Sequence, residues 1–389
     1  MLINREKCSG CFACVQACPM HCIGKEEDKQ GNVYPVVNAE VCISCGKCEK
    51  VCAEQHLNDM SFRKSRKCYA AWSRDQDVRK NSASGGIASA LYEMALQRGY
   101  MICGALYDRS FRVVHLLTED SDRITQFRQS KYVFSETENV YEEIRRQLAS
   151  GRKILFISLP CKVAGLLNYL GKPDDNLLTA DIVCHGTPPY RHLEEHIKTK
   201  DPGKKATSLR FRDENIFRFL LENAEGVIYR KTGRCDAYLA AFLEGLNYRE
   251  SCYRCSFARP ERISDITLCD FWGLGKEKEW KHPYTGAISA VLLNTAAGEA
   301  FFEGVKPMLC CETRDVEEAI AGNSQLRHPT PLHPKRRLFE ELYIRQGFES
   351  AVKACLSDEM KAEMTAVTKR ELRQRLRGLA VRFMKQVGK

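Results

Sequence analysis

Two cysteine runs near the start of the chain constrain its fold more than any other feature. Each run has the spacing x2-x2-x3, and the eight positions are Cys8, Cys11, Cys14, Cys18, Cys42, Cys45, Cys48 and Cys52. In bacterial two-cluster ferredoxins, three cysteines of such a run bind one 4Fe–4S cluster and the fourth binds the other. Zinc is the alternative for CxxC pairs, but a zinc site needs only four ligands and gives no reason for the full repeat. We therefore predict two 4Fe–4S clusters and a role in electron transfer.

Length and composition are those of an ordinary soluble protein with two or three domains. The 389 residues are 44% hydrophobic and 28% charged, and they contain 20 cysteines. No run of about eighteen apolar residues occurs, and no apolar segment follows Met1, so we expect neither a membrane span nor a secretory signal. Clustered cysteine spacings indicate metal binding in a reducing compartment rather than disulfides, so we expect a cytoplasmic location.

The net charge of +10 is unevenly distributed. Residues 1–60 carry six Lys or Arg and eight Asp or Glu, so the rest of the chain carries about +12. This asymmetry favours docking of an acidic electron carrier, such as a ferredoxin, on the basic part. No recognisable nucleic-acid-binding motif accompanies the charge, and we expect no nucleic-acid partner.

Beyond the cysteine runs the pattern changes to a larger mixed α/β body. Apolar periodicity and turn residues predict a hairpin over 24–37, a helix over 87–96, a strand over 153–158, a helix over 162–170 and a strand over 177–183. Cys161 and Cys184 follow the two strands, at the edge where open α/β sheets bind ligands. Together with the pair Cys252 and Cys255, they are enough for a third 4Fe–4S cluster. A structural zinc ion, or unrelated buried cysteines, would use the same residues.

The last thirty residues predict a basic amphipathic helix. Its apolar stripe comprises Leu372, Leu376, Leu379, Phe383 and Val387, and its basic residues are Lys369, Arg370, Arg373, Arg375, Arg377, Arg382 and Lys385. Such a helix can rest on an anionic membrane surface or on a partner subunit. Packing on its own domain is the third interpretation, and we favour it slightly.

Six ordered motifs carry a family resemblance. They are Ser82-Ala-Ser-Gly-Gly-Ile87, Arg128-Gln-Ser-Lys-Tyr132, Leu159-Pro-Cys-Lys-Val-Ala-Gly165, Asp181-Ile-Val-Cys-His-Gly186, Ser251-Cys-Tyr-Arg-Cys255 and Ser264-Asp-Ile-Thr-Leu-Cys-Asp-Phe-Trp-Gly273. Over roughly residues 1 to 300, the chain resembles the coenzyme F-420 hydrogenase/dehydrogenase beta-subunit family, including its bacterial members with a fused N-terminal ferredoxin.

The resemblance implies cofactors and sites. Members of this family bind FAD and an iron–sulfur cluster, so Cys161, Cys184, Cys252 and Cys255 become the expected ligands of a third cluster. The turn containing Ser84, Gly85 and Gly86 resembles part of the flavin site, and a glycine-rich turn that opens a helix offers free N–H groups to a phosphate. Ser130, Lys131 and Tyr132 are further candidates for a phosphate or ring contact. No GxGxxG or P-loop signature is present.

Several positions depart from the usual family pattern. Cys269 replaces a common Gly, Lys162 replaces a common Gln, and Gln129 replaces a common Gly. We interpret Cys269 as a packed cysteine rather than an extra redox thiol. His185 is either a proton donor near the flavin or a structural histidine, and we favour the structural role. Catalytic residues are not identifiable from the sequence.

These observations give one prediction for the whole chain. We expect a mixed α/β fold with a ferredoxin-like domain over residues 1–62, an FAD and iron–sulfur domain over 63–350, and a basic helical tail over 351–389. The expected function is an oxidoreductase that passes electrons from a ferredoxin-like donor through the clusters to FAD and on to a small organic substrate. A deazaflavin is one candidate substrate, and the direction of electron flow is open. The alternative is a non-catalytic electron-relay subunit of a larger complex.

Overall fold

The computed structural model describes residues 2–213, 216–276, 278–280, 282 and 286–387, with side chains of the C-terminal helix described as far as Arg370. The cysteine-rich part contains α1 (Ala13–Gln16), β1 (Ile23–Glu27), β2 (Val33–Val37) and α2 (Lys47–Lys50). Strands β1 and β2 pair antiparallel from Ile23↔Val37 to Glu27↔Val33, as the predicted hairpin requires. Asp28 closes the turn, because its carboxylate accepts the backbone N–H groups of Gln30 and Asn32 at 2.9 and 2.8 Å.

The first half of the body alternates strands and helices. Its elements are β3 (Lys67–Ser73), α3 (Gln76–Lys80), α4 (Ile87–Gln97), β4 (Tyr100–Tyr107), β5 (Val113–Thr118), α5 (Ile124–Phe127), β6 (Ser135–Glu136), α6 (Val140–Ala149), β7 (Lys153–Ser158), α7 (Pro160–Leu170), β8 (Leu177–Ile182) and α8 (Tyr190–Lys200). Helix α7 begins two residues earlier than predicted, because Pro160 suits the first helical position, where no backbone N–H is needed. It ends at Gly171 in the left-handed conformation, as predicted.

The second half of the body adds a small sheet and returns to the large one. Its elements are β9 (Ser208–Asp213), β10 (Ile216–Asn223), β11 (Gly226–Thr232), α9 (Ala237–Leu243), β12 (Ile266–Asp270), β13 (Ser289–Leu293), α10 (Ala296–Val305), β14 (Leu309–Arg314), α11 (Val316–Gly322), α12 (Arg336–Gln346) and α13 (Phe348–Val387). Strands β9, β10 and β11 form an antiparallel sheet of their own.

A nine-stranded mixed sheet organises the body, in the order β14-β3-β13-β12-β8-β7-β4-β5-β6. Strands β4, β7, β8 and β12 are parallel neighbours, and β3 runs in the same direction because two antiparallel pairings separate it from β12. The carboxyl ends of β3, β7, β8 and β12 therefore lie at one edge of the sheet. The fold is mixed α/β, as predicted.

Helices cover both faces of this sheet. Phe301, Phe302 and Val305 of α10 pack with Ile87 and Leu91 of α4 in one apolar core. On the other face, α6 and α7 contribute a second core, which also contains Ala13 and Ala53 of the cysteine-rich part. The cysteine-rich part is thus packed against α6 and α7 through shared apolar contacts.

The C-terminal helices close the small antiparallel sheet. Phe339 of α12 and Phe348, Val352 and Leu356 of α13 are buried with residues of α9, β9 and β10. Leu356 has non-helical backbone angles, which marks a kink inside α13. The helix continues to Val387, but the predicted apolar stripe from Leu372 onward lies outside the residues whose side chains are described. Within the described residues, none of the helices combines the length and apolar character needed to cross a membrane.

Candidate functional site

The first group of cysteines, the inner group, faces the body. Cys8, Cys11, Cys14 and Cys52 lie close together: burial raises the pKa of the Cys14 thiol, and Cys11, Cys8 and Cys52 raise it further. Cys52 comes from the second run, so the fourth cysteine crosses over as in two-cluster ferredoxins. An apolar pocket of about 430 Å³, including its open mouth, is lined by these four cysteines, by Cys48, and by Leu2, Ile3, Phe12 and Pro35.

The second group, the outer group, lies further from the body and contains Cys18, Cys42, Cys45 and Cys48. Cys18 packs with Cys42 and Cys48 around Ile23, and Cys45 is exposed. Cys22 lies among them: its Sγ is 3.3 Å from that of Cys18, and it also contacts the Cys42 thiol. Cys22 is buried, and its position beside two predicted ligands was not evident from the sequence.

Among the described residues, no group of three or more His, Cys, Asp or Glu side chains is arranged to hold a single metal ion. The inner cysteines line a pocket. The full x2-x2-x3 repeat remains the argument for clusters over zinc.

The third group brings together the four body cysteines, Cys161, Cys184, Cys252 and Cys255. Burial raises the pKa of the Cys161 thiol well above its ordinary value, and the three other thiols are near enough to raise it further. Burial likewise raises the pKa of Cys255 to about 12. Cys161 and Cys184 follow the carboxyl ends of β7 and β8, and Cys252 and Cys255 lie in or beside a 3₁₀ turn over Glu250–Arg254.

A buried ion pair connects the two segments that supply this third group. Arg262 donates to the Asp181 carboxylate at 2.7 Å, and both side chains are almost fully buried. The same guanidinium donates to the Phe257 and Arg259 carbonyls at 2.9 and 3.1 Å. Asp181 lies near the end of β8, three residues before Cys184, whereas Phe257 lies two residues after Cys255. The pair therefore fixes one cysteine pair relative to the other.

Lys162 lies between the inner and third groups. It is 1% exposed, and its ammonium donates to the Gly10 carbonyl at 2.5 Å. Burial lowers its pKa to about 8, while the neighbouring thiols of Cys161 and Cys11 act in the opposite direction. Gly165 allows this approach of α7, because a Cβ there would lie 2.8 Å from the Cys11 Cβ.

A second polar contact lies between the inner and third groups. Ser256 Oγ donates to the Glu54 carboxylate at 3.0 Å. Glu54 is near enough to both Cys11 and Cys255 to raise the pKa of each thiol, although burial is the larger cause in both cases. The inner group of the cysteine-rich part and the third group of the body are therefore immediate neighbours.

The predicted flavin turn lies at the same edge of the sheet. Ser289 of β13 accepts the Gly85 N–H at 2.9 Å and donates to Ser84 Oγ at 3.0 Å. Gly85 approaches β3 so closely that a Cβ would lie 2.4 Å from the Ala71 carbonyl oxygen. Gly86 has a φ of +83° and precedes α4, whose amino end has no side-chain cap. Among the described residues, no side chain caps the first backbone N–H groups of α4, the groups that a phosphate site uses.

The Arg128–Tyr132 motif adjoins this turn. The Gln129 amide donates to the Asn81 carbonyl at 2.9 Å, next to the turn. Among the described residues, the buried Gln129 Oε1 and Arg128 Nε have no hydrogen-bond partner, so polar atoms remain available to a ligand here. Lys131 donates to the Arg128 carbonyl at 2.9 Å, and Ser130 contacts the Tyr132 hydroxyl. The ammonium of Lys131 is therefore directed at backbone carbonyls.

Tyr132 leads from this motif to the third cysteine group. Its hydroxyl accepts from Arg212 at 2.8 Å, and Arg212 also donates to Asp270 at 2.7 Å. Asp270 ends β12 and pairs with Ser289, which contacts the turn. The charges of Asp270 and Arg212 also act on the ring of His185, which follows Cys184. The turn and the third group thus lie three strands apart in the sheet, at roughly 14 Å for a strand spacing near 4.8 Å.

Sequence reasoning missed three buried arginines at this site. Arg212, Arg249 and Arg262 are 5%, 1% and 2% exposed. Arg249 donates to the Cys8 carbonyl at 2.7 Å and to the Val33 carbonyl at 2.9 Å, and it lies 3.7 Å from Cys8 Sγ. Asp181, the partner of Arg262, and Asp270, the partner of Arg212, both stand in the quoted motifs. These two carboxylates were the sequence signal that could have indicated buried arginines.

Cys269 is not a member of any of the three cysteine groups. It is 8% exposed in β12, in an apolar core with Cys68 and Phe271. Burial raises the pKa of its thiol well above the ordinary value. The surroundings are those of a packed cysteine, the interpretation favoured from the sequence.

Fold and cysteine geometry together define an iron–sulfur electron-transfer protein in which a two-cluster ferredoxin part is packed on an α/β body. Comparison with protein families agrees: residues 7–55 match a 4Fe-4S dicluster domain. Residues 68–142 match the N-terminal and residues 151–319 the C-terminal domain of the coenzyme F420 hydrogenase/dehydrogenase beta subunit. The chain belongs to this family of oxidoreductases, as the motifs predicted.

Comparison with individual proteins adds little. No curated protein matches the chain. Among solved structures, one match is a xenon-derivatised F420-reducing [NiFe] hydrogenase complex from Methanosarcina barkeri, at 17% identity and a TM-score of 0.46. That match covers 75% of this chain and 91% of the other.

Proposed function

We propose that this protein is an iron–sulfur flavoprotein oxidoreductase that transfers electrons between a ferredoxin-like carrier and an organic two-electron substrate. The observation that carries the proposal is the order of the cysteine groups. The outer group includes the exposed Cys45, the inner group faces Lys162, and the third group lies at the sheet edge that holds the Ser84–Gly86 turn. These positions form a connected route from the surface to the candidate flavin site.

The residues suit three 4Fe–4S clusters. The inner and outer groups have the crossover arrangement of a dicluster domain, and Cys161, Cys184, Cys252 and Cys255 supply four further thiols in a buried setting. Burial favours the neutral thiol over the free thiolate, so these sulfurs need the positive charge of a bound iron–sulfur core to be deprotonated.

The residues around the turn suit FAD. A flavin is stable in three oxidation states, so it exchanges single electrons with clusters and electron pairs with an organic substrate. Within this site, the amino end of α4, directly after Gly86, would hold a phosphate through backbone N–H groups, and Arg128 and Gln129 offer unpaired polar atoms beside it. Tyr132, which is bonded to Arg212, and His185, which follows Cys184, are the proposed contacts of the flavin ring. The substrate remains a small molecule, with a deazaflavin as a candidate from family membership.

The outer group, rather than the basic part that the charge distribution favoured, is the proposed docking site of the electron carrier. Three exposed apolar side chains flank its cysteines in sequence: Met20 and Val41, both 42% exposed, and Ile43, 60% exposed. Apolar side chains around an exposed redox centre are suited to a transient protein partner, because they are desolvated on contact.

Iron and flavin analysis of anaerobically purified protein tests the proposal. We expect about twelve irons and one FAD per chain. Gly85→Ala should release the flavin and retain the iron, because its Cβ would collide with the Ala71 carbonyl and displace the turn. Gly203→Ala is the control, since the nearest atom to its Cβ is the flexible Lys205 side chain at 3.4 Å. Full iron without flavin in the unmodified protein would instead support the relay subunit. Colourless protein without iron would refute both.

A further inference from the structure

Lys162 is a buried cation shared by two cysteine groups. Its ammonium lies 4.4 Å from the Phe134 ring centroid and 5.5 Å from that of Phe12, so aromatic faces rather than water surround it. Among the described residues, no carboxylate forms an ion pair with it. Its charge is therefore not neutralised locally and acts on whatever negative charge is nearest.

The nearest negative charges would be the inner and third clusters. The thiols of Cys161 in the third group and of Cys11 and Cys8 in the inner group are the acidic groups that act on the Lys162 ammonium, so they lie near it. Arg249 reinforces the effect on the inner group, since its guanidinium lies 3.7 Å from Cys8 Sγ. The outer group has a different environment: Cys45 is exposed, and the lysines beside it, Lys47 and Lys50, project into water, where their charge is screened.

We propose that the charge of Lys162 raises the reduction potentials of both the inner and the third cluster, relative to the reduction potential of the outer cluster. A cluster gains negative charge on reduction, and a fixed cation in a dry environment stabilises the reduced form. Electrons that enter at the outer group would then move inward downhill, and Lys162 would reduce the repulsion between two neighbouring reduced clusters.

The proposal rests on the clusters of the proposed function, and its test separates the two. Lys162→Met removes the charge and keeps an unbranched side chain of similar length. Lys153→Met is the matched control. This lysine is exposed at the opposite end of β7, roughly 20 Å along the strand, so its replacement removes the same charge at a distance from the clusters. Iron content, measured on the same samples, reports whether the clusters are present.

An anaerobic redox titration followed by electron paramagnetic resonance is the experiment. In Lys162→Met we expect two of the three cluster potentials to fall, each by at least about tenfold in the reduction equilibrium, which is about 59 mV for one electron. The potential of the outer cluster should stay unchanged. All three potentials should stay unchanged in Lys153→Met. Full iron content with unaltered potentials, or an equal shift of all three, would overturn the proposal.

If Lys162→Met loses iron, Lys162→Gln decides the question. Glutamine retains a donor for the Gly10 carbonyl but carries no charge. The same two potentials should fall in this variant if the charge is responsible, and unchanged potentials would overturn the proposal.

Discussion

The Asp181–Arg262 pair gives the sharpest stability prediction. In Arg262→Met, the Asp181 carboxylate stays buried, with Ser264 as its one remaining side-chain donor among the described residues, at 2.5 Å. The Phe257 and Arg259 carbonyls also lose their common partner. Removing one member of a buried ion pair costs about 3–5 kcal/mol. This is a large part of the roughly 5–15 kcal/mol that stabilises a typical domain.

Urea unfolding of anaerobic protein, followed by tryptophan fluorescence, measures this loss from the midpoint and slope. Arg254→Met is the control from the same segment. Arg254 pairs with Glu6 across side chains that are 61% and 60% exposed, so its loss should cost less than about 1 kcal/mol. Because Arg262 holds the segment that follows Cys255, Arg262→Met should also reduce the iron bound by the third group.

A double variant tests the physical reason. Asp181→Leu combined with Arg262→Met leaves no unpaired charge, so it should be more stable than Arg262→Met alone. If Arg262→Met loses no more stability than Arg254→Met, or if the double variant is the least stable of all, water reaches Asp181 and the reasoning fails.

Three further predictions concern metal, flavin and pH. Cys252→Ser should lose about four of twelve irons and Cys269→Ser none, by iron analysis; equal losses would count against the assignment of the third group. Tyr132→Phe should weaken flavin retention during gel filtration without changing iron content, because the Arg212 guanidinium loses an acceptor beside the site; an unaltered flavin content would place the ring elsewhere. His115 is buried and its pKa is lowered to about 4 by burial, so the unfolded chain binds a proton that the folded chain does not. Stability should therefore fall as the pH decreases from about 6.5 towards 4, and His115→Gln should show a shallower decrease in urea midpoint.

The sequence predicted the features that depend on local pattern. The strand over 153–158 and the hairpin over 24–37 were found because alternation and turn residues are local signals. The convergence of Cys161, Cys184, Cys252 and Cys255 was beyond spacing alone, since it depends on β7 and β8 ending at one sheet edge. Family resemblance supplied that expectation.

The buried cations could not be predicted for a different reason. Arg249 and Lys162 bind backbone carbonyls of Cys8 and Gly10, which are 241 and 152 residues away in the chain. Arg249 stands in none of the quoted motifs, and the motif that contains Lys162 does not show that its side chain is buried. Their burial follows from the packing of the cysteine-rich part on α7, which no local signal reports.

That packing also determines how the two redox parts communicate. Ala13 and Ala53 belong to the same apolar core as Val163 and Ala164 of α7, and Gly165 lets the Cys11 loop touch the helix. The ferredoxin part is therefore held in a fixed position against α7. Electron transfer from its clusters to the third group would require no diffusion of one part towards the other. Only the association with the external carrier should depend on ionic strength and viscosity. Cleavage of the chain near residue 62 would expose an apolar surface on both fragments.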